Sequence, residues 1–104
     1  MDAVIRAMKA GNANEMAYYF DERIDMSLPG KTENYGSTQA TMILKDFFKE
    51  HKVLDFEIKY RGENSGSEFC FGILKTNQGQ FRIKLYMKQL GARQVLQEIG
   101  FQKQ

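Results

Sequence analysis

The 104-residue chain has one cysteine, one proline, one histidine and no tryptophan. With Cys70 alone, no intramolecular disulfide can form. Neither His51 nor Cys70 has a second residue of its kind, so a recognisable metal-ligand set is missing and no cofactor is expected. The lone thiol leaves the compartment open, because an exported protein can carry one. No run of about 18 apolar residues occurs, which excludes a membrane-spanning helix. A charge excess of one sign is missing as well. Fifteen basic side chains against thirteen acidic ones give +2, far from the basic surplus of a nucleic-acid binder. Neither nucleic acid nor membrane is therefore an expected partner. Repeats, low-complexity stretches and linkers are absent, so one domain, 1–104, is expected. Met1-Asp2 leads directly into an amphipathic helix, which is not the pattern of a signal peptide.

What is present is periodicity. Val4, Ile5 and Met8 recur at helical spacing over 2–10, and Gly11 supplies a stop. Asn12 with Glu15 three residues on resembles a capping box and opens a second helix, 13–20. Residues 22–28 alternate as a strand, Pro29-Gly30 turns it, and 31–35 is a short return strand. Ser37 is the expected N-cap of the strongest helix, 38–51. Its stripe of Ala40, Ile43, Leu44, Phe47 and Phe48 ends in His51.

Four longer alternating segments follow at 53–62, 67–76, 79–88 and 93–102. The short turns between them force an antiparallel meander. Alternate residues share a side, and the bulkier apolar set of each strand is assigned inward. That set is Phe56, Ile58 and Tyr60; Phe69, Phe71 and Ile73; Phe81, Ile83, Leu85 and Met87; and Val95, Ile99 and Phe101. The outward set then includes Arg82, Lys84, Lys88, Lys59 and Arg61, interleaved with Asp55, Glu57, Glu68 and Glu98. Mixed signs read as a solvated sheet face with cross-strand pairs. The expected fold class is α+β, a cone-shaped fold with three N-terminal helices packed on a curved, mainly antiparallel sheet.

The element order resembles the nuclear transport factor 2-like (cystatin-like) superfamily over essentially the whole chain. Within it, the chain is most similar to a small family of Bacteroidetes proteins without an assigned activity. The residues that carry this resemblance are Ala10-Gly11-Asn12, Tyr19-Phe20, Leu28-Pro29-Gly30-Lys31, and the run from Ile43 to Phe48. Gly72-Ile73-Leu74 and Phe81-Arg82-Ile83 complete it. These are core positions, turns and caps, so the resemblance speaks for fold. It also implies export, to the periplasm or beyond, and frequent dimerisation through the sheet's outer face.

The superfamily includes isomerases, dehydratases and cyclases with a pocket between helices and sheet, where a carboxylate base faces a tyrosine-containing oxyanion site. The expected inward set holds no acid, and Asp25 opposes Ile24 and Met26 in parity. No catalytic residue is assigned. Five residues are candidates to line a ligand pocket: Tyr18, Tyr19, His51, Tyr60 and Gln97. His51 reads first as a helix-terminal imidazole capping free carbonyls, and second as a general base. Met8, Met16, Met26, Met42 and Met87 would line a pocket for a small apolar ligand or fill the core.

Cys70, Leu74, Tyr86 and Leu96 are expected to project outward as an apolar island among charges. Such islands mark interaction sites, here for a homodimer. A non-catalytic binding or interaction module is the leading reading. A small-molecule isomerase- or dehydratase-like enzyme is the alternative.

Overall fold

The computed structural model describes all of residues 1–104. Two short helices, α1 (Asp2–Ala10) and α2 (Ala13–Ala17), lead into a hairpin of β1 (Phe20–Leu28) and β2 (Lys31–Gly36). Helix α3 (Ser37–Glu50) follows, and then β3 (Val53–Asn64), β4 (Ser67–Thr76), β5 (Gly79–Leu90) and β6 (Arg93–Lys103).

Local chemistry sets most of these boundaries. Gly11 takes a left-handed φ of 65°, and its amide and that of Asn12 close α1 on Met8 and Ala7. Asn12 caps α2 by accepting from the Glu15 amide at 3.1 Å, as its sequence suggests. Helix α2 stops at Ala17 rather than residue 20. The Leu96 amide donates to the Tyr19 carbonyl at 2.6 Å, and Phe20 pairs with Leu96. Sheet pairing thus captures residues that a five-residue helix, too short to be stable alone, cannot hold. Gly36, not Ser37, is the N-cap of α3, and no side chain caps that end.

The strands form one curved sheet in the order β2-β1-β6-β5-β4-β3. The meander from β3 to β6 is antiparallel as expected. The β1–β2 hairpin adds beside β6, and β1 runs parallel to it. Register shifts interrupt β1–β6, β3–β4 and β5–β6; such bulges bend strands and add twist.

A single apolar cluster joins the helices to one side of this sheet. Val4, Ala7 and Met8 of α1, Met16 of α2, and Ala40, Leu44 and Phe47 of α3 supply the helical part. Phe56, Leu74, Phe81, Ile83, Leu85, Met87, Ile99 and Phe101 are among the strand residues they meet. Burying each large side chain of this kind stabilises the fold by about 1.5–3 kcal/mol, before entropy is counted.

The side assignment of three strands differs from expectation. On β4 the buried set is Cys70, Leu74 and Thr76, with Gly72 between them, while Phe69, Phe71 and Ile73 lie on the helix-free side. Antiparallel partners share a side, and β5 places Arg82, Lys84 and Tyr86 opposite Ile73, Phe71 and Phe69. Strand β5 therefore decides for β4, because its cations cannot go inward.

On β3 a bulge at Lys59 moves Tyr60 outward, opposite Phe71, and brings Arg61 to the helix side, opposite Cys70. On β6 a bulge at Gln97 puts Leu96 inward against Met87; Val95 pairs with Lys88 and is buried as expected, at 3% exposure. Glu68, expected outward, pairs with Met87 and joins the helix side.

Candidate binding surface

The structure does not gather the five pocket candidates into one site. Tyr18 is 78% exposed in the turn after α2, where its ring packs edge-on against Tyr19. The two tyrosines line open clefts of about 480 and 530 Å³ with Arg6, Glu15, Arg93 and Gln94. Gln97 stands in the β6 bulge and donates to Asp21 at 3.0 Å. Tyr60 is 57% exposed on the helix-free side. His51 sits at the far end of α3, stacked on Phe47 at 4.2 Å and edge-on to Phe81. Its Nδ1 lies 2.9 Å from the Phe47 carbonyl, which also accepts its own amide. That geometry is a helix C-cap, and it aims the imidazole at backbone rather than at a cleft.

The volume between helices and sheet is occupied by side chains. Met8, Met16, Met26 and Met87 are all at most 1% exposed, whereas Met42 is on the surface. None of the five principal clefts, of 390 to 550 Å³, is lined by Met8, Met16, Ile24, Leu44 or Leu85. No buried polar side-chain atom lacks a hydrogen-bond partner. At the rim near α1, Arg61 bridges Asp2 at 2.7 Å and Glu68 at 3.8 Å, and Gln94 donates to Glu68 at 2.7 Å. The Arg61 guanidinium holds the Asp2 carboxyl below the usual carboxylate range.

The island of Cys70, Leu74, Tyr86 and Leu96 is likewise corrected. Cys70, Leu74 and Leu96 are 0% exposed and belong to the core. Burial pushes the Cys70 thiol pKa up, against a weaker opposing pull from Arg61, so the thiol stays protonated and shielded. We expect Cys70 to be silent toward a thiol reagent such as Ellman's in the native protein and to react fully once the chain unfolds. Rapid stoichiometric labelling of native protein would contradict its burial.

Tyr86 alone of the four remains on the helix-free side, where its hydroxyl meets the Ser67 hydroxyl at 2.9 Å. It has different company from that expected. One cross-strand row runs Asn34, Asp25, Glu98, Tyr86, Phe69 and Gly62. The next runs Thr32, Ser27, Gly100, Lys84, Phe71 and Tyr60. The face is thus graded, polar toward β1 and aromatic toward β3. Tyr60, Phe69 and Phe71 form a continuous strip, with ring centroids 5.7 and 6.0 Å apart. Phe69 lies across Gly62, where a Cβ would come within 2.6 Å of the ring.

Ionic groups on this face are mostly matched. Glu57 pairs with Lys59 at 2.7 Å and Lys75 at 3.7 Å, and its carboxyl is held down by them. Glu98 pairs with Lys84 at 3.1 Å. Asp25 faces outward as expected and accepts from Asn34 at 2.8 Å. Beside the β1–β2 turn, this polar half opens into a cleft of about 550 Å³.

Three helices, packed through their apolar faces against one side of a curved six-stranded sheet, define an α+β fold. A Nostoc punctiforme domain described as having a cystatin-like fold matches it at 11% identity and a TM-score of 0.74, over 99% of this chain and 72% of that one, which speaks to the fold alone. The chain belongs to the DUF4783 family, described as "Domain of unknown function", which it matches over residues 1–102. A family protein from Bacteroides uniformis is 29% identical and superposes with a TM-score of 0.95, over 99% of this chain and 95% of that one. One from Bacteroides ovatus is 27% identical with a TM-score of 0.96, over 100% and 94%. A de novo designed protein with a curved β-sheet matches at 11% identity and a TM-score of 0.79, over 97% and 93%, and speaks to the fold alone. No curated protein matches the chain. No helix is long and apolar enough to cross a membrane.

Proposed function

We propose that the chain is a non-catalytic binding module that works through the helix-free face of its sheet, and that the partner this face fits is a second copy. One observation carries the reading. The space between helices and sheet is filled, whereas the opposite face carries a strip of exposed Tyr60 and half-buried Phe69, Phe71, Ile73 and Tyr86 over which no helix packs.

Size and charge support self-association. A standard interface needs roughly 800 Å² per partner, which a molecule of 38 × 28 × 23 Å can present. Glu57 and Glu98 are neutralised by neighbours on the same face, so a stacked pair brings no bare carboxylate of theirs together. Aromatic side chains are the usual anchors of such contacts.

An isomerase-like enzyme is the weaker reading, since Glu68 on the helix side is engaged by Arg61 and Gln94 at the rim, and none of the principal clefts opens among the central core residues. A small apolar ligand meets the same objection inside the cone. Export, as the resemblance implies, is compatible with a single buried thiol, which is sheltered in an oxidising compartment too.

The test is sedimentation velocity on wild type, Tyr60→Glu and Phe69→Glu, each checked for native circular dichroism. The wild type is expected to sediment as a concentration-dependent dimer and both variants as monomers. A monomeric wild type, or folded variants that still dimerise, would overturn the reading. Tyr60 is exposed enough that its variant should fold whatever happens at Phe69.

A further inference from the structure

We infer that the cleft beside the β1–β2 turn is a binding site for an organic carboxylate with an apolar body. It lies on the polar half of the helix-free face, beside the strip proposed above for self-association and sharing Phe71 with it, and goes beyond that reading. Gly100 forms its floor. That residue pairs with Ser27 on one side and Lys84 on the other, so the missing side chain leaves a dip between two flanking strands. A Cβ there would meet only Lys84 and Ser27 Cβ atoms, at 3.5 and 4.0 Å. The glycine is thus not forced by crowding, and what it provides is open space.

The walls are of two kinds. Phe71 and Pro29 supply apolar lining, and Leu28, packed against the core, reaches its edge. Arg82 and Lys103 bring positive charge to the same rim. Lys103 is already engaged, donating to the Gln78 carbonyl at 2.7 Å and lying over the Phe81 ring at 4.8 Å. Lys84 is spent on Glu98.

Arg82 differs. The ion pairs of the chain engage Lys9, Lys31, Lys59, Arg61, Lys75 and Lys84, and leave Arg82 without a carboxylate. Its guanidinium is exposed and stands on β5 between Ile73 and Gln102. A planar fork of donors without an anion, beside an apolar dip, matches a carboxylate carried on a hydrophobic body. The volume falls in the range of small-molecule sites.

The experiment is an amide-shift NMR titration with 3-phenylpropionate, and with neutral 3-phenylpropanamide as control. The acid is expected to saturate shifts at Gly30, Gly100 and Gln102 with a Kd on the order of 1 mM, given its size. Arg82→Gln should weaken binding about tenfold or more, with Arg82→Lys intermediate. Gly100→Val should abolish it by filling the floor, on a strand position that tolerates a branched side chain. Lys88→Gln, a cation on the same strand but outside the cleft, should change nothing. Equal shifts from the amide, an unaltered titration in folded Arg82→Gln, or shifts that map elsewhere would each overturn the assignment.

Discussion

Leu74→Ala is expected to cost about 2–5 kcal/mol of folding stability, whereas Ile73→Ala, one residue away, costs about 1 kcal/mol or less. Leu74 is fully enclosed and pairs with Phe56 and Phe81 inside the cluster. Its truncation leaves a cavity that a sheet fixed by ladders on both sides cannot collapse. Ile73 belongs to the set expected inward, yet it stands on the helix-free face between Glu57 and Arg82. Urea denaturation of the two variants measures the difference. In a domain of about 100 residues each kcal/mol also moves Tm by roughly 4–8 °C, so the contrast should be plain in a thermal melt. Equal costs, or a larger one at Ile73, would mean the sides of β4 are assigned backwards.

The second large effect concerns Gly72. A methyl group there would come within 2.6 Å of the Glu57 carbonyl oxygen and 2.7 Å of Phe56 Cε1. Both neighbours are fixed, one as backbone of the paired strand and the other as a buried ring. Gly72→Ala should therefore destabilise by about 1–3 kcal/mol, despite the entropy that alanine removes from the unfolded chain. Gly62 is the contrast. A methyl there meets only the Phe69 ring, at 2.6 Å, and that ring can swing toward solvent on the open face. Gly62→Ala should cost clearly less. Relief of the Gly72→Ala penalty in a Phe56→Leu background, measured as a double-mutant cycle, identifies the ring's share of the clash. An alanine tolerated at 72 without loss of stability would contradict the close approach of β3 and β4.

Much of this architecture was legible from residue patterns. The helix stripes, the Asn12 cap, the Pro29-Gly30 turn and the four-strand meander follow from periods of 3.6 and 2 and from turn residues. The side of β4 did not, because both of its residue sets are apolar and bulk was used to choose between them. A better signal lay in loop length. A two-residue Asn77-Gln78 loop pairs Thr76 with Gly79, and hence Leu74 with Phe81 and Cys70 with Leu85. The alternation of β5, with Arg82, Lys84 and Lys88 against Phe81, Ile83, Leu85 and Met87, is unambiguous and could have been propagated across that turn. The bulges at Lys59 and Gln97 are another matter. They turn Tyr60 outward and Arg61 and Leu96 inward, and no local residue announces them.

The same choice put the wrong residues on the outer face. An interaction face on the helix-free side was expected, and three of the four residues named for it are core. The residues that do occupy it, Phe69, Phe71 and Ile73, were assigned to the interior because they are large and apolar. Large apolar residues on an uncovered face are the more telling finding, since burial inside the fold no longer explains them. The cleft over Gly100 was missed for a related reason. It is made by an absent side chain and by strands distant in sequence, β1 and β6, whose parallel pairing no local pattern reveals.

The most direct test of the working face is hydroxyl-radical footprinting at low and high protein concentration, read by mass spectrometry. Labelling of Tyr60, Phe69, Phe71 and Tyr86 should fall as concentration rises, while exposed Tyr18, at the α2–β1 corner, stays unchanged. Unchanged labelling of the strip, or protection that appears at Tyr18 instead, would contradict the account that this sheet face is where the protein binds.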